Sequence, residues 1–246
     1  MPNRSTNGAA GGTTAILDAD PDLRDALEGP RLARALDAAV APSRSFGPGP
    51  CDLSDLLGED SLGYGLLVIS GLLVCELRVA ATRGIEFLGP GDLVQRPSPA
   101  VAAGPVQRRW HALSAVRLAV LDGDFAIRVR PYPEITTALL RRAGAHSEAL
   151  AYQLAARHAV RVEDRLLLIV GQLAHRWGRV CPEGTVLRIP GLNHEMLASA
   201  VGARRSPVTK ALGELKRRGM LEIRPGGEIL VRDRASTPAT DAHDEQ

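Results

Sequence analysis

Apolar positions along the chain switch between alternating or continuous runs and a helical 3,4 spacing, and the switches divide it into segments. The first 19 residues are rich in Gly, Ala, Thr and Asn and show no apolar period, so a disordered tail is expected there, and a second over residues 234–246. Residues 20–39 read as one helix, because Leu23, Leu27, Leu32, Ala35 and Leu36 form a stripe. The Pro- and Gly-bearing stretch 42–50 is expected to end it in a turn. Residues 53–125 read as β-structure. The runs Leu66-Leu67-Val68-Ile69 and Leu72-Leu73-Val74-Cys75, separated by Ser70-Gly71, predict a hairpin. Gly89-Pro90-Gly91-Asp92 predicts a tight turn, residues 97–105 a loop and residues 115–121 a last strand. Short strands at near-even spacing suggest a small barrel or sandwich.

Helical spacing takes over after Pro133. Residues 134–160 contain no proline, and Leu140, Ala143, Ser147, Leu150 and Leu154 recur at 3,4 spacing with Arg157 on the same line. This heptad-like seam predicts a dimerisation helix; one packing face of an ordinary core helix is the alternative. Val162, Leu166, Ile169, Val170, Leu173 and Trp177 predict a second amphipathic helix, stopped by Gly178.

The segment after it carries the candidate chemistry. Asn193 is a good N-cap for a short helix from His194 that buries Leu197 and Val201, with small Ala198 where a neighbouring helix comes close. Gly202 suits a tight turn. The next helix starts at Arg205, with Pro207 in its first turn and Val208, Ala211, Leu212 and Leu215 facing inward. Arg205, Ser206, Thr209 and Lys210 then face outward near its amino end. One α-helix fits the major groove of duplex DNA. There Arg205 can donate to guanine O6 and N7, Lys210 can reach a base edge or phosphate, and Ser206 and Thr209 can contact either. Asn193, Arg204, Lys216, Arg217, Arg218 and Arg224 are candidate phosphate contacts, which position rather than specify. Gly219 closes the helix. Residues 220–224 and 228–231 read as two wing strands around Pro225-Gly226-Gly227. The competing reading is a winged helix that binds protein as an adaptor.

Charge supports the nucleic-acid reading. The net charge of the 246 residues is only +2. Residues 161–233 nevertheless hold thirteen Arg and Lys against eight Asp and Glu, while the rest of the chain holds seventeen against twenty. The basic excess therefore coincides with the helix pair. Aromatics are scarce, at 3%, so the cores should be built from Leu, Val, Ile and Ala. Cys51, Cys75 and Cys181 form no Cys-x-x-Cys, and the histidines do not pair at ligand spacing. No metal or cofactor is expected, and the thiols read as buried small hydrophobes in a reducing cytoplasm. The chain shows no signal-type apolar stretch at its start. Its most apolar run, residues 64–75, is shorter than the roughly 20 residues a bilayer span needs, so no membrane partner is expected. Asp122 and Asp124 have no nucleophile or orienting group beside them, so an enzyme is not expected.

The order of parts resembles the Crp/Fnr transcription regulators. The resemblance covers about residues 53–233 and is strongest over 193–212, where Leu197-Ala198, Gly202, Arg205, Val208 and Leu212 fall on family positions. It implies an α+β fold. Residues 20–133 would form a β-roll of the cyclic-nucleotide-binding type, 134–160 a dimerisation helix and 161–233 a winged helix-turn-helix. It also implies a homodimer on a near-palindromic operator, base reading by Arg205 and Lys210, and RNA polymerase as a partner. The acidic residue common in the family where Ser206 stands is absent, so the target sequence should differ from that of the best-known members. The family's phosphate cassette is Gly-Glu followed by Arg-Ser/Thr-Ala; here Val94-Gln95-Arg96-Pro97 and Arg108-Arg109-Trp110 stand instead. Cyclic nucleotide binding is therefore not expected, and a cyclic-nucleotide-gated regulator is kept as an alternative.

Overall fold

The computed structural model describes residues 10–58, 63–96, 105–224 and 228–232. Its first unit, Met1–Ala151, contains strands β1 (Ala10–Ala15), β2 (Val40–Phe46), β3 (Gly49–Cys51), β4 (Gly65–Ser70), β5 (Leu73–Val79), β6 (Thr82–Leu88), β7 (Leu93–Val94), β8 (Val106–Ala112) and β9 (Val116–Leu121). Its helices are α1 (Ile16–Ala19), α2 (Gly29–Ala38), α3 (Ser54–Leu57), α4 (Gly123–Val129) and most of α5 (Pro133–Ala156).

Three expectations fail at the amino-terminal end, each for a local reason. Residues 10–19 are not a disordered tail: β1 pairs antiparallel with β2, and Ile16 and Leu17 are fully buried. A segment without apolar period is ordered here by the strand it pairs with. The helix expected over residues 20–39 is two pieces, a 3-10 turn at Pro21–Arg24 and α2. Pro30 lacks an N–H and its ring clashes with the carbonyl four residues back, so it fits only the first turn of a new helix. The stripe still points inward, with Leu23, Leu27 and Ala35 buried and Leu32 and Leu36 packed against the same core. The stretch 42–50, expected as a turn, supplies β2 and β3. Pro42 is tolerated because the pairing of β2 with β9 begins only at Ser43.

The strands form two sheets, β1-β2-β9-β4-β7 and β3-β8-β5-β6. Leu66, Val68 and Leu118 of the first sheet meet Leu73, Cys75 and Leu88 of the second in one core. Leu67, Ile69 and Leu121 on the other face of the first sheet pack with Phe125, Ile135 and Leu139 in another. The first sheet is covered on both faces, which is why β4 reads as an unbroken apolar run. Each such side chain contributes about 1.5–3 kcal/mol on burial.

Ser70-Gly71 is not a hairpin turn. β4 pairs with β7 and β9, whereas β5 pairs with β6 and β8, so the chain crosses between sheets at Gly71. The β4–β9 register shifts between Val68 and Ser70, and Gly71 has φ of 86°. A Cβ on Gly71 would lie 2.2 Å from the Ala115 carbonyl oxygen. Two apolar runs around Ser-Gly look alike whether the strands pair or face each other across a core. The turn at Gly89–Asp92 does form: the Asp92 N–H donates to the Gly89 carbonyl at 3.0 Å, and the Asp92 carboxylate accepts from the Gly89 N–H at 2.8 Å. Apart from Pro105, the loop read at 97–105 lies outside the described residues.

α5 ends at Ala156, and residues 157–161 are turns rather than a continuation to 160. Of the predicted seam, Leu140, Ser147, Leu150 and Leu154 are exposed and Ala143 is half-buried.

The second unit, Tyr152–Gln246, holds α6 (Val162–Trp177), β10 (Arg179–Cys181), β11 (Gly184–Arg188), α7 (His194–Val201), α8 (Arg205–Arg217), β12 (Leu221–Arg224) and β13 (Glu228–Val231). Its sheet runs β10-β11-β13-β12, so the wing belongs to four strands where two were expected. β10 and β11 are too short to show a period. The wing turn 225–227 and the tail from 233 lie outside the described residues. α6 buries Leu166, Ile169, Val170 and Leu173 and packs on α7, α8 and β11. Gly178 ends α6 without a left-handed conformation: its φ is −79°. Space decides it, since a Cβ would stand 2.3 Å from the Ala174 carbonyl oxygen and 2.4 Å from a Thr185 methyl.

The fold class is α+β, with amino-terminal sheets, a long helix and a carboxy-terminal winged helix-turn-helix. Cys75 is buried, but Cys51 and Cys181 are only half-buried, so the thiols are not uniformly core residues. Burial pushes the Cys51 and Cys75 thiols up to about 11 and about 12. Among the described residues no helix is long and apolar enough to cross a membrane, and no group of three His, Cys, Asp or Glu could hold a metal ion.

Candidate nucleic-acid interface

The helix pair is built by local chemistry at each end. The Asn193 side-chain oxygen accepts from the Glu195 and Met196 N–H groups at 3.0 and 2.9 Å, capping α7. That occupies its oxygen and leaves its amide N–H groups for an outside acceptor. Gly202 ends α7 with φ 65° and ψ 38°, and the Ala203 N–H closes onto the Ala198 carbonyl at 2.9 Å. This left-handed residue lets α8 start only three residues later without a Cβ penalty. Leu197, Ala198 and Val201 are buried on α7, and Val208, Ala211, Leu212 and Leu215 on α8.

The opposite face of α8 points to solvent. Arg204, Arg205, Ser206, Thr209 and Lys210 are all exposed. Arg204, Arg205 and Lys210 form no ion pair among the described residues, and an unpaired guanidinium on a helix's first turn is available to a phosphate or a base edge. Thr209 is already engaged: its hydroxyl donates to the Arg205 carbonyl at 3.1 Å, and His194 Nδ1 lies 2.9 Å from the same oxygen. With its proton given to the carbonyl, Thr209 accepts from His194 and keeps one lone pair for a base amino group.

The other phosphate candidates differ in charge state. Lys216 is exposed. Arg217 and Arg218 share one carboxylate, Glu214, so the three together carry a single positive charge. Glu214 is held below the ordinary carboxylate range, first by the hydrogen bond from Arg217 and further by Arg218. Arg224 lies between Glu183 and Glu222 and is partly neutralised there. The strand side of the wing is therefore less basic than α8.

Two side chains the sequence reading did not single out for this site bond to the elements that carry it. His194 is one; its only signal was a polar residue directly after a capping Asn. Arg157 is the other. It ends the seam stripe, yet its guanidinium turns onto α7, donating to the Ala200 carbonyl at 2.8 Å and the Ser199 carbonyl at 3.0 Å. In the first unit, Arg96 and Arg108, from the segments that replace the phosphate cassette, line one cleft of about 710 Å3 with Cys51, Asp52 and Trp110.

Residues 160–236 match the family profile of the Crp-like helix-turn-helix domain. Over 172 residues, 68% of this chain and 75% of the relative, the sequence is 30% identical to a protein named "CRP-like cAMP-activated global transcriptional regulator" from Mycobacterium tuberculosis. Among solved structures, a cyclic nucleotide-binding domain containing protein from Listeria monocytogenes superposes with a TM-score of 0.62. It is 16% identical, over 77% of this chain and 88% of that one. FixK2 from Bradyrhizobium japonicum gives 0.58 at 16% identity, over 79% and 94%. Identities this low speak for the fold alone.

Proposed function

The chain belongs to the Crp/Fnr family of transcription regulators, and from that premise we propose that it acts as a homodimer that reads a near-palindromic DNA operator through α8. The observation that carries the reading is the outward face of α8, where Arg205, Ser206 and Lys210 stand exposed over a buried Val208, Ala211, Leu212 and Leu215. In this reading Arg205 makes paired hydrogen bonds to guanine, and Ser206, Thr209 and Lys210 contact neighbouring base edges or phosphate. Arg204, Lys216, Arg217, Arg218, Arg224 and the Asn193 amide hold the phosphate backbone. The dimer is supported by α5, where Leu140, Leu150 and Leu154 are 66%, 40% and 61% exposed. Leucines at this spacing on a long helix form a seam for a second copy. Two-fold symmetry then sets the half-sites roughly 34 Å apart, centre to centre.

Selection of bound sequences from a random duplex pool tests this directly. The expected product is an inverted repeat with half-sites about one helical turn apart. A pool that remains random, or binding that does not weaken with salt, refutes it and favours a protein-binding adaptor. RNA polymerase is the proposed partner on the promoter, checked by transcription in vitro from a template bearing the selected operator.

The mycobacterial relative is named for activation by cAMP. We do not extend that to this chain, because the stretch Val94-Gln95-Arg96-Pro97, which replaces the Gly-Glu part of the expected cassette, offers no carboxylate, and a carboxylate is what usually fixes the ribose. Calorimetry with cyclic AMP and cyclic GMP should give no submillimolar heat of binding. A saturable signal there would make the protein a nucleotide-gated regulator.

A further inference from the structure

The carbonyls at the end of α7 point to one residue. A helix leaves its last four carbonyls without intrahelical partners. In α7 the Gly202 and Ala203 N–H groups both close onto the Ala198 carbonyl. The next two, Ser199 and Ala200, are each taken by the half-buried guanidinium of Arg157. A planar fork with parallel donors suits two adjacent carbonyls, and its charge complements the negative end of the helix dipole. The Arg157 stem runs beside the α7–α8 turn: a Cβ on Gly202 would lie 3.9 Å from its Cδ. Arg157 itself closes the last turn of α5, its own N–H donating to the Gln153 carbonyl at 3.2 Å. One side chain thus ties the end of the long helix to the turn that carries the reading helix.

We propose that Arg157 is a positioning residue for operator recognition: it fixes where α8 stands relative to the end of α5, and so sets the half-site spacing the dimer accepts. This rests on the proposed reading of the protein as an operator-binding dimer. Arg157 touches no base and no phosphate in this account. It acts through α7, which packs on α8 and buries Leu197, Ala198 and Val201.

The test uses the full chain, the selected operator, and two derivatives with one base pair added to or removed from the centre. The native protein should favour the correct spacing by about tenfold or more, the scale of one or two charged hydrogen bonds. Arg157→Ala should bring that preference down to about threefold or less, and Arg157→Lys, which keeps the charge but not the fork, should fall between. Base preference within each half-site, affinity for random duplex and the salt slope should not change. If Arg157→Ala is too unstable to purify, the Lys variant and Arg157→Gln carry the same comparison. Unaltered spacing preference in the folded variants overturns the inference. So does a uniform loss of affinity with a salt slope reduced by about one, which would make Arg157 a phosphate contact. If the native protein itself binds no DNA in a salt-dependent way, the operator-binding reading fails first, which separates the two failures.

Discussion

At the scale of single residues, exposed cations on α8 divide by whether a carboxylate already holds them. Arg205 is exposed and has no acidic partner among the described residues, so its full hydrogen-bonding capacity is available. Arg205→Ala should cost about 1–3 kcal/mol at the selected operator and relax one base preference, as a gel-shift series on single-base variants would show. Equal affinity and selectivity in that variant would falsify its role as a reader. Glu214 presents the opposite case, because it pins Arg217 and Arg218 on the same helix end. Glu214→Gln should free both and tighten binding to all sequences alike, with a salt slope steeper by about one. A variant that binds specific and random duplexes as before would remove Arg217 and Arg218 from the phosphate contacts. Asn193 and Gly202 could be read from the sequence because capping and left-handed turns are properties of a few neighbouring residues. The Thr209–His194 and Arg157–α7 bonds join residues 15 and more than 40 positions apart, and no local period reports them.

At the scale of elements, the errors concentrate where two structures share one pattern. The runs around Ser70-Gly71 are buried on β4 and β5 alike, so hydropathy cannot tell a hairpin from a crossing between sheets. The crossing depends on Gly71, which combines a left-handed φ with backbone contact at Ala115. Gly71→Ala should destabilise by about 1–3 kcal/mol, read from the urea midpoint. Gly171, in the middle of α6, has nothing within 4 Å of an added Cβ. There the same substitution should instead stabilise by roughly 0.5–1 kcal/mol. Matching effects at the two positions would mean that neither backbone strain nor packing distinguishes them. Pro30 is a further case: its meaning is local and legible, yet the regular stripe from Leu23 to Leu36 hides the break it causes.

At the scale of the whole molecule, the exposed leucines of α5 set the expectation of a second copy. Leu154 is largely solvent-exposed in the protomer, so Leu154→Glu should leave the protomer's fold intact. Sedimentation should then show a monomer, and operator affinity should fall to that of random duplex because one half-site is lost. A variant that stays dimeric would move the interface off this seam. The sequence by itself determined the succession of strands and then helices, the long helix, the helix pair and its cationic face. Each of these is written in spacings of three, four or two residues, or in caps and turns that a few neighbours decide. Only the tertiary structure decided that residues 10–19 are ordered, that β4 and β5 lie in different sheets, which cations are neutralised, and that Arg157 holds the end of α7. These depend on partners distant along the chain. A strand edge, a facing sheet, a carboxylate or a row of unpaired carbonyls acts on a residue only after the chain has folded to bring them together.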